Sequence, residues 1–102
     1  MAQFDVYRNP RRGGYPLLLD IQADVMAQLA TRIVVPLAER SSYERAPMTR
    51  TSPIVRIDSR EYVAVIPLLA AIATSALGTK VASLADRRAD LIHAVDLLVA
   101  GS

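Results

Sequence analysis

The chain has 102 residues, of which 52% are hydrophobic and 22% are charged, a composition typical of folded globular proteins. This length predicts a single domain over residues 1–102, with enough chain to bury one core. The sequence contains no cysteine and one histidine, which excludes a disulfide-stapled scaffold, a thiolate zinc site and a cysteine protease. We therefore expect neither a metal nor a cofactor.

The net charge is +2, which is too small to indicate nucleic-acid binding by itself, but the charges are unevenly distributed. Residues 8–60 contain nine arginines and five acidic residues, whereas residues 61–102 contain three basic and four acidic residues. A basic surface built from the first region would suit an acidic partner. Ordinary solvated side chains explain any single one of these charges equally well.

The N-terminus has no basic segment followed by an apolar stretch, so it does not resemble a signal peptide. The longest apolar stretch, residues 63–77, is interrupted by Pro67 and is too short to span a bilayer. We expect a cytoplasmic protein with no membrane partner.

The first half of the chain has the patterns of β-strands. Alternating apolar and polar residues predict a half-buried strand over residues 3–7, and a segment rich in proline and glycine predicts a turn over residues 9–14. A second strand over residues 15–21 would complete a hairpin. β-Branched residues predict a third strand over residues 32–38, with Pro36 at an edge or a bulge because it cannot donate a hydrogen bond.

A long polar loop over residues 39–52 follows, and such loops are often functional. Residues 53–57 and 61–66 flank a short polar turn and predict a second hairpin. Residues 67–82 are ambiguous, because alanine favours a helix while Pro67 and Gly78 interrupt one. Strand, loop and short helix all remain possible there.

The chain ends in a predicted helix. Ser83 and Asp86 have the spacing of a capping box, and Gly101 is a natural helix terminator. Apolar side chains recur near the helical period at Leu84, Leu91, Val95 and Leu98, with Ile92 and Val99 widening the stripe.

Catalytic motifs are missing from the sequence: it has no phosphate-binding glycine loop, no HExxH and no GxSxG. His93 lies within the predicted helix, where a surface or half-buried histidine is ordinary. A ribonuclease without a metal could use arginine, serine and threonine, but no spacing in the sequence selects such a set. From the residues alone, the chain is a small β-plus-helix domain, and its function stays open.

Five segments stand out when they are read together: QFDVY (3–7), YPLLLDIQAD (15–24), RIVVPLA (32–38), PIVRI (53–57) and AVDLLVAG (94–101). In this order and with these spacings they resemble the CcdB family, the toxins of plasmid-type toxin–antitoxin pairs. The resemblance covers nearly the whole chain.

The resemblance implies a mainly β (α+β) fold: an SH3-like antiparallel barrel with a small accessory sheet and a C-terminal α-helix. This agrees with the order of the predicted elements. It also implies a homodimer whose terminal helices lie close to the two-fold axis. Leu98 and Val99 are the candidate dimer-interface residues, although packing against the chain's own core would explain the apolar stripe equally well.

CcdB-like toxins are not enzymes. They bind the A subunit of DNA gyrase and trap the enzyme on cleaved DNA. A CcdA-like antitoxin with an acidic, flexible tail wraps the toxin and releases gyrase, and the two proteins together bind and repress their own operator DNA. The resemblance therefore implies a toxin of a type II toxin–antitoxin module.

The resemblance also points to individual residues. The best-known family member ends in Trp-Gly-Ile, which contacts gyrase, and the matching positions here are Ala100, Gly101 and Ser102. Only the glycine is kept. Charge complementarity with an acidic antitoxin makes four loop arginines the candidate antitoxin-binding residues. They are Arg11, Arg12, Arg40 and Arg45.

Two other functions stay open. A CcdB-fold homologue that no longer poisons gyrase, or that has another target, would account for Ala100 and Ser102 in place of the aromatic and aliphatic residues. An endoribonuclease toxin is the second, since the related MazF-like toxins share the barrel and cleave RNA.

Overall fold

The computed structural model describes residues 2–11, 14–26, 28–43 and 51–101. Within these ranges seven strands precede one α-helix. They are β1 (Asp5–Arg8), β2 (Leu17–Asp20), β3 (Thr31–Glu39), β4 (Ile54–Ile57), β5 (Arg60–Ala64), β6 (Ala70–Ala73), β7 (Lys80–Ser83) and α1 (Arg88–Ala100).

All strand pairs are antiparallel and belong to one sheet with the order β4, β5, β3, β2, β1, β7. β6 branches from this path by pairing with the first half of β3, and this branch corresponds to the predicted small accessory sheet. The sheet curls into a half-barrel with the helix following it, which confirms the predicted mainly β (α+β) class.

Both predicted hairpins are present. β1 pairs with β2 in a register that places Arg8 opposite Leu17, although β2 is shorter than the predicted strand. β4 pairs with β5 through a two-residue turn, and both turn residues, Asp58 and Ser59, have positive φ values of 50° and 66°. Such turns match the right-handed twist of the flanking strands. Short polar side chains tolerate positive φ values, and the turn that these two residues form fixes the register of the hairpin.

The predicted start of the first strand is wrong by two residues. Phe4 has a φ of 70°, so the extended backbone begins only at Asp5. The half-buried pattern is wrong as well, because Asp5, Val6 and Tyr7 are all buried. Backbone hydrogen bonds from Phe4 N–H to Asp20 O (2.6 Å) and from Leu84 N–H to Phe4 O (2.8 Å) hold this unusual conformation in place.

Pro36 lies in the middle of the longest strand rather than at an edge or a bulge. Its carbonyl accepts a hydrogen bond from Val65 N–H (3.1 Å), and the nitrogen and oxygen of one strand residue point to the same side. The nitrogen of Pro36, which carries no hydrogen, therefore points to the side of β3 on which the partner strand changes from β6 to β5. No hydrogen bond to β2 is lost, which is why a central strand accepts this proline.

The ambiguous segment, residues 67–82, forms two strands, with one 3-10 turn before β6 and another between β6 and β7, instead of an α-helix. Pairing with β3 outweighs the helical preference of the alanines in β6. Gly78 is required for the approach of this segment to β1, because a Cβ atom there would lie 2.7 Å from the carbonyl oxygen of Arg8.

The predicted capping box does not form. Ser83 Oγ accepts from Ala85 N–H (3.3 Å), and the first turn of the segment is a 3-10 turn that continues into α1. Two arginines hold the beginning of the helix instead. Arg87 donates to Ile54 O (3.1 Å), and Arg88 donates to the Gln3 side chain (2.7 Å).

The hydrophobic core lies between the inner face of the sheet and α1. From the helix, Leu91 and Ala94 are fully buried, and Ile92 and Val95 pack at the edge of the same cluster. The predicted apolar stripe is thus confirmed in its first half. Among the described residues, no helix is both long and apolar enough to cross a membrane.

Candidate partner-binding surfaces

The C-terminal end of α1 carries the residues that the sequence singled out for dimerisation and for gyrase. Leu98 is 42% exposed and Val99 is 76% exposed, so packing against the chain's own core does not account for either. Ala100 is also exposed, and Gly101 ends the helix with a φ of 76° and an N–H bond to Leu97 O (3.1 Å). Ser102 lies outside the described residues.

Two of the four arginines predicted to bind the antitoxin lie on neighbouring grooves. Arg40 lines an open groove of about 540 Å³, and Arg11 lines a second one of about 460 Å³. Glu39, the last residue of β3, lines both grooves and therefore joins them. The other two candidates, Arg12 and Arg45, lie outside the described residues.

Three further arginines belong to the same surface and were missed from the sequence. Arg56 and Arg60 line the first groove, and Arg8 lines the second. A third groove, of about 230 Å³, contains both Arg8 and Arg60 and so connects the ends of the other two. We call the five described arginines of these grooves, Arg8, Arg11, Arg40, Arg56 and Arg60, the arginine surface.

The connection between β2 and β3 displays a second apolar surface that the sequence analysis did not identify. Val25 is 87% exposed, Met26 47% and Leu29 48%. Large apolar side chains that are exposed together often mark binding surfaces. The run of polar and apolar residues around position 25 lacks a clear period, so no pattern in the sequence separated these residues from a buried segment.

A cluster of buried polar side chains contacts the β2–β3 connection. Asp20 Oδ2 accepts from Arg32 Nε (2.8 Å) and pairs with Nη2 (2.6 Å), and both side chains are at most 1% exposed. Gln22 donates to Met26 O (2.8 Å) and accepts from Ile33 N–H (3.1 Å). The cluster thus ties the base of the connection to the start of β3.

A second polar group is centred on β1, the strand that pairs with β2. Tyr7 is buried and its hydroxyl donates to Asp5 Oδ2 (3.4 Å), while Lys80 Nζ lies 3.3 Å from Asp5 Oδ1. Burial raises the pKa of Tyr7, and the neighbouring carboxylates of Asp5 and Asp20 raise it further. Because phenolate is disfavoured there, Tyr7 is a structural hydrogen-bond donor.

Alkaline pH is expected to destabilise the fold through Tyr7. A raised folded-state pKa means that the unfolded chain releases the phenolic proton first, so stability is complete below about pH 10 and falls as the pH rises above it. Tyr7→Phe should weaken the protein at neutral pH but reduce this alkaline loss. Urea unfolding at pH 8 and pH 11 measures both effects, and an equal alkaline loss in the two proteins would contradict the assignment.

The described ranges contain no group of three His, Asp or Glu side chains that could hold a metal ion. The surfaces they do contain are suited to binding: a basic set of grooves and two exposed apolar areas. A family model described as the CcdB protein matches residues 3–101, which includes all seven strands and the helix.

The chain belongs to the CcdB family.

Membership of the CcdB family supports a role of the gyrase-poison, toxin–antitoxin type, and members of this family act by binding and not as catalytic enzymes. The match ends at Gly101, so it includes the C-terminal end of α1 and Ala100.

Proposed function

We propose that this chain is the toxin of a type II toxin–antitoxin module, which binds the A subunit of DNA gyrase and traps the complex of gyrase with cleaved DNA. The CcdB-family match over residues 3–101 is the observation that carries the proposal. A binder that prefers the cleaved-DNA conformation of gyrase shifts the enzyme towards that state, and this requires affinity rather than a catalytic group.

A plasmid cleavage assay with purified gyrase from the source organism tests this function. Linear plasmid that appears after denaturation of gyrase, and only when the chain is present, is the expected result. A chain that produces no linear plasmid but cleaves RNA would be an endoribonuclease toxin instead.

One observation favours a second candidate, a homologue that keeps the fold and antitoxin binding but no longer poisons gyrase. Ala100 and Ser102 stand where the best-known member has tryptophan and isoleucine. Overexpression without growth inhibition, together with an inactive plasmid assay, would establish this alternative.

The toxin acts as a homodimer in this proposal, with Leu98 and Val99 in the interface. Their exposure in a single chain supports this, since large apolar side chains gain most from burial against a partner. Neutralisation is assigned to a cognate CcdA-like antitoxin that contacts Arg11, Arg12, Arg40 and Arg45. Operator DNA is bound only by toxin and antitoxin together.

Val99→Asp is expected to weaken self-association at least about tenfold, because a carboxylate would be buried in an apolar interface. Sedimentation over a range of concentrations measures this change. Val25→Asp is the matched control, since Val25 is also a highly exposed valine but lies in the β2–β3 connection. If both variants associate alike, Val99 does not lie in the dimer interface.

A further inference from the structure

The arginine surface contains its own acidic residues. Glu39 Oε1 lies 3.1 Å from Arg60 Nη1, and Glu61 lies 3.5 Å from Arg40 and 3.8 Å from Arg56. These pairs are at least one-third exposed, so water and salt screen them and a stronger ionic partner can displace them. Arg8 and Arg11 form no ion pair with any residue that the structure describes.

The distribution of these charges limits what the grooves can bind. Five arginines are interleaved with Glu39, Asp58 and Glu61, which line the same grooves. Duplex DNA presents a phosphate about every 1.7 Å along its axis, and it would bring some of them against these carboxylates. An extended peptide with spaced carboxylates can contact the arginines and avoid the three acidic positions, so the observations favour an acidic peptide.

Glu39 has the central position on this surface. It lines the two larger grooves and is paired with Arg60, which also lines the third. A segment that runs from the Arg40 side to the Arg11 side must pass Glu39. The carboxylates of such a segment would be repelled by the Glu39 carboxylate, and they would have to compete with Glu39 for the Arg60 guanidinium.

We propose that Glu39 is a specificity-determining residue of the arginine surface, where it competes with the acidic segment of the antitoxin for Arg60. The inference rests on the proposed function, since it deepens the antitoxin site by adding Arg8, Arg56 and Arg60. Glu39 admits a segment whose carboxylates are spaced to avoid it, and it weakens the binding of segments that are acidic throughout.

The test is the affinity of the purified toxin for its cognate antitoxin, measured by calorimetry. Glu39→Gln keeps the side-chain shape at the end of β3 and removes one charge. It is expected to tighten binding about two- to fivefold at low ionic strength, the range set by an exposed ion pair. The gain should disappear near 1 M salt, where the screening length falls to about 3 Å.

Two companion variants separate the local effect from net charge. Asp96→Asn removes the same charge from an exposed position on α1 that lines none of the three grooves, and it should leave the affinity unchanged. Arg60→Gln should weaken binding by a similar factor and should abolish most of the gain from Glu39→Gln, because the two residues then no longer compete.

The outcomes distinguish this inference from the proposed function. A wild-type toxin that binds no antitoxin overturns both. A toxin that binds its antitoxin but is not tightened by Glu39→Gln, or is tightened equally by Asp96→Asn, overturns the role of Glu39 alone. If toxin by itself binds duplex DNA, and Arg60→Gln weakens that binding but leaves antitoxin binding unchanged, the surface serves nucleic acid and the proposal is wrong.

Discussion

Replacing Arg32 with methionine is expected to lower the free energy of unfolding by about 3–5 kcal/mol. Asp20 is completely buried, and its Oδ2 has two contacts with the Arg32 guanidinium, at 2.8 and 2.6 Å. Methionine fills most of the space but leaves the carboxylate without a counter-charge. Because domains of this size are stable by about 5–15 kcal/mol, the effect takes up a large part of the total.

The double variant Asp20→Leu, Arg32→Met should be more stable than Arg32→Met alone. Removing both charges removes the penalty of an unpaired buried ion, and such double replacements are often close to neutral. Arg32 Nη1 is also buried and has no hydrogen-bond partner among the described residues, so the native pair already carries part of that penalty. We therefore expect the double variant to regain more stability than it would if every polar atom of the native pair had a hydrogen-bond partner.

Urea unfolding of the variants measures these differences, and Arg56→Met is the matched control. Arg56 is 71% exposed and its pair with Glu61 spans 3.8 Å, so its loss should change stability by less than about 1 kcal/mol. If Arg32→Met and Arg56→Met are equally stable, the buried pair does not stabilise the fold. If the double variant has a lower free energy of unfolding than Arg32→Met, the ion pair stabilises the fold by more than the neutralisation of its two charges.

The sequence predicted the elements whose patterns are local. Alternation and β-branched residues located the two hairpins and β3, and the helical period located α1. The details that were predicted wrongly depend on contacts between residues far apart in the sequence. Pro36 is accepted in a central strand because its neighbours change at that residue, and Phe4 leaves the strand because Asp20 and Leu84 bind its backbone.

Contacts between residues that are distant in sequence also explain why part of the arginine surface was not predicted. Arg56 and Arg60 belong to one hairpin, but Arg8 is distant from both in sequence. It shares a groove with Arg60 only because the antiparallel pairings of β1 with β2, β2 with β3 and β3 with β5 bring the two strand ends together. Residue type alone predicts that Asp20 and Arg32 are exposed, solvated charges. Only the packing of β2 against β3 shows that they are buried together.

Ala100→Trp is expected to strengthen binding to the A subunit of gyrase by about 30- to 1000-fold, the value of an aromatic hot spot of about 2–4 kcal/mol. Ala100 is exposed at the last turn of α1, so an indole there does not disturb the core. Gly101 keeps its left-handed conformation, with a φ of 76°, so the chain leaves the helix unchanged. Adding Ser102→Ile completes the tripeptide of the best-known CcdB sequence.

Plasmid cleavage at a series of toxin concentrations, together with calorimetry on the purified A subunit, measures the gain. Ala89→Trp places the same indole on an exposed position near the other end of α1 and controls for non-specific adhesion. Cleavage by the Ala100→Trp variant alone would mean that the scaffold is intact and that this chain has lost or redirected its gyrase-binding end. Equal cleavage by wild type and variant would contradict the prediction. The gyrase contacts would then have to lie elsewhere, and the exposed Val25 and Met26 would be the next residues to replace.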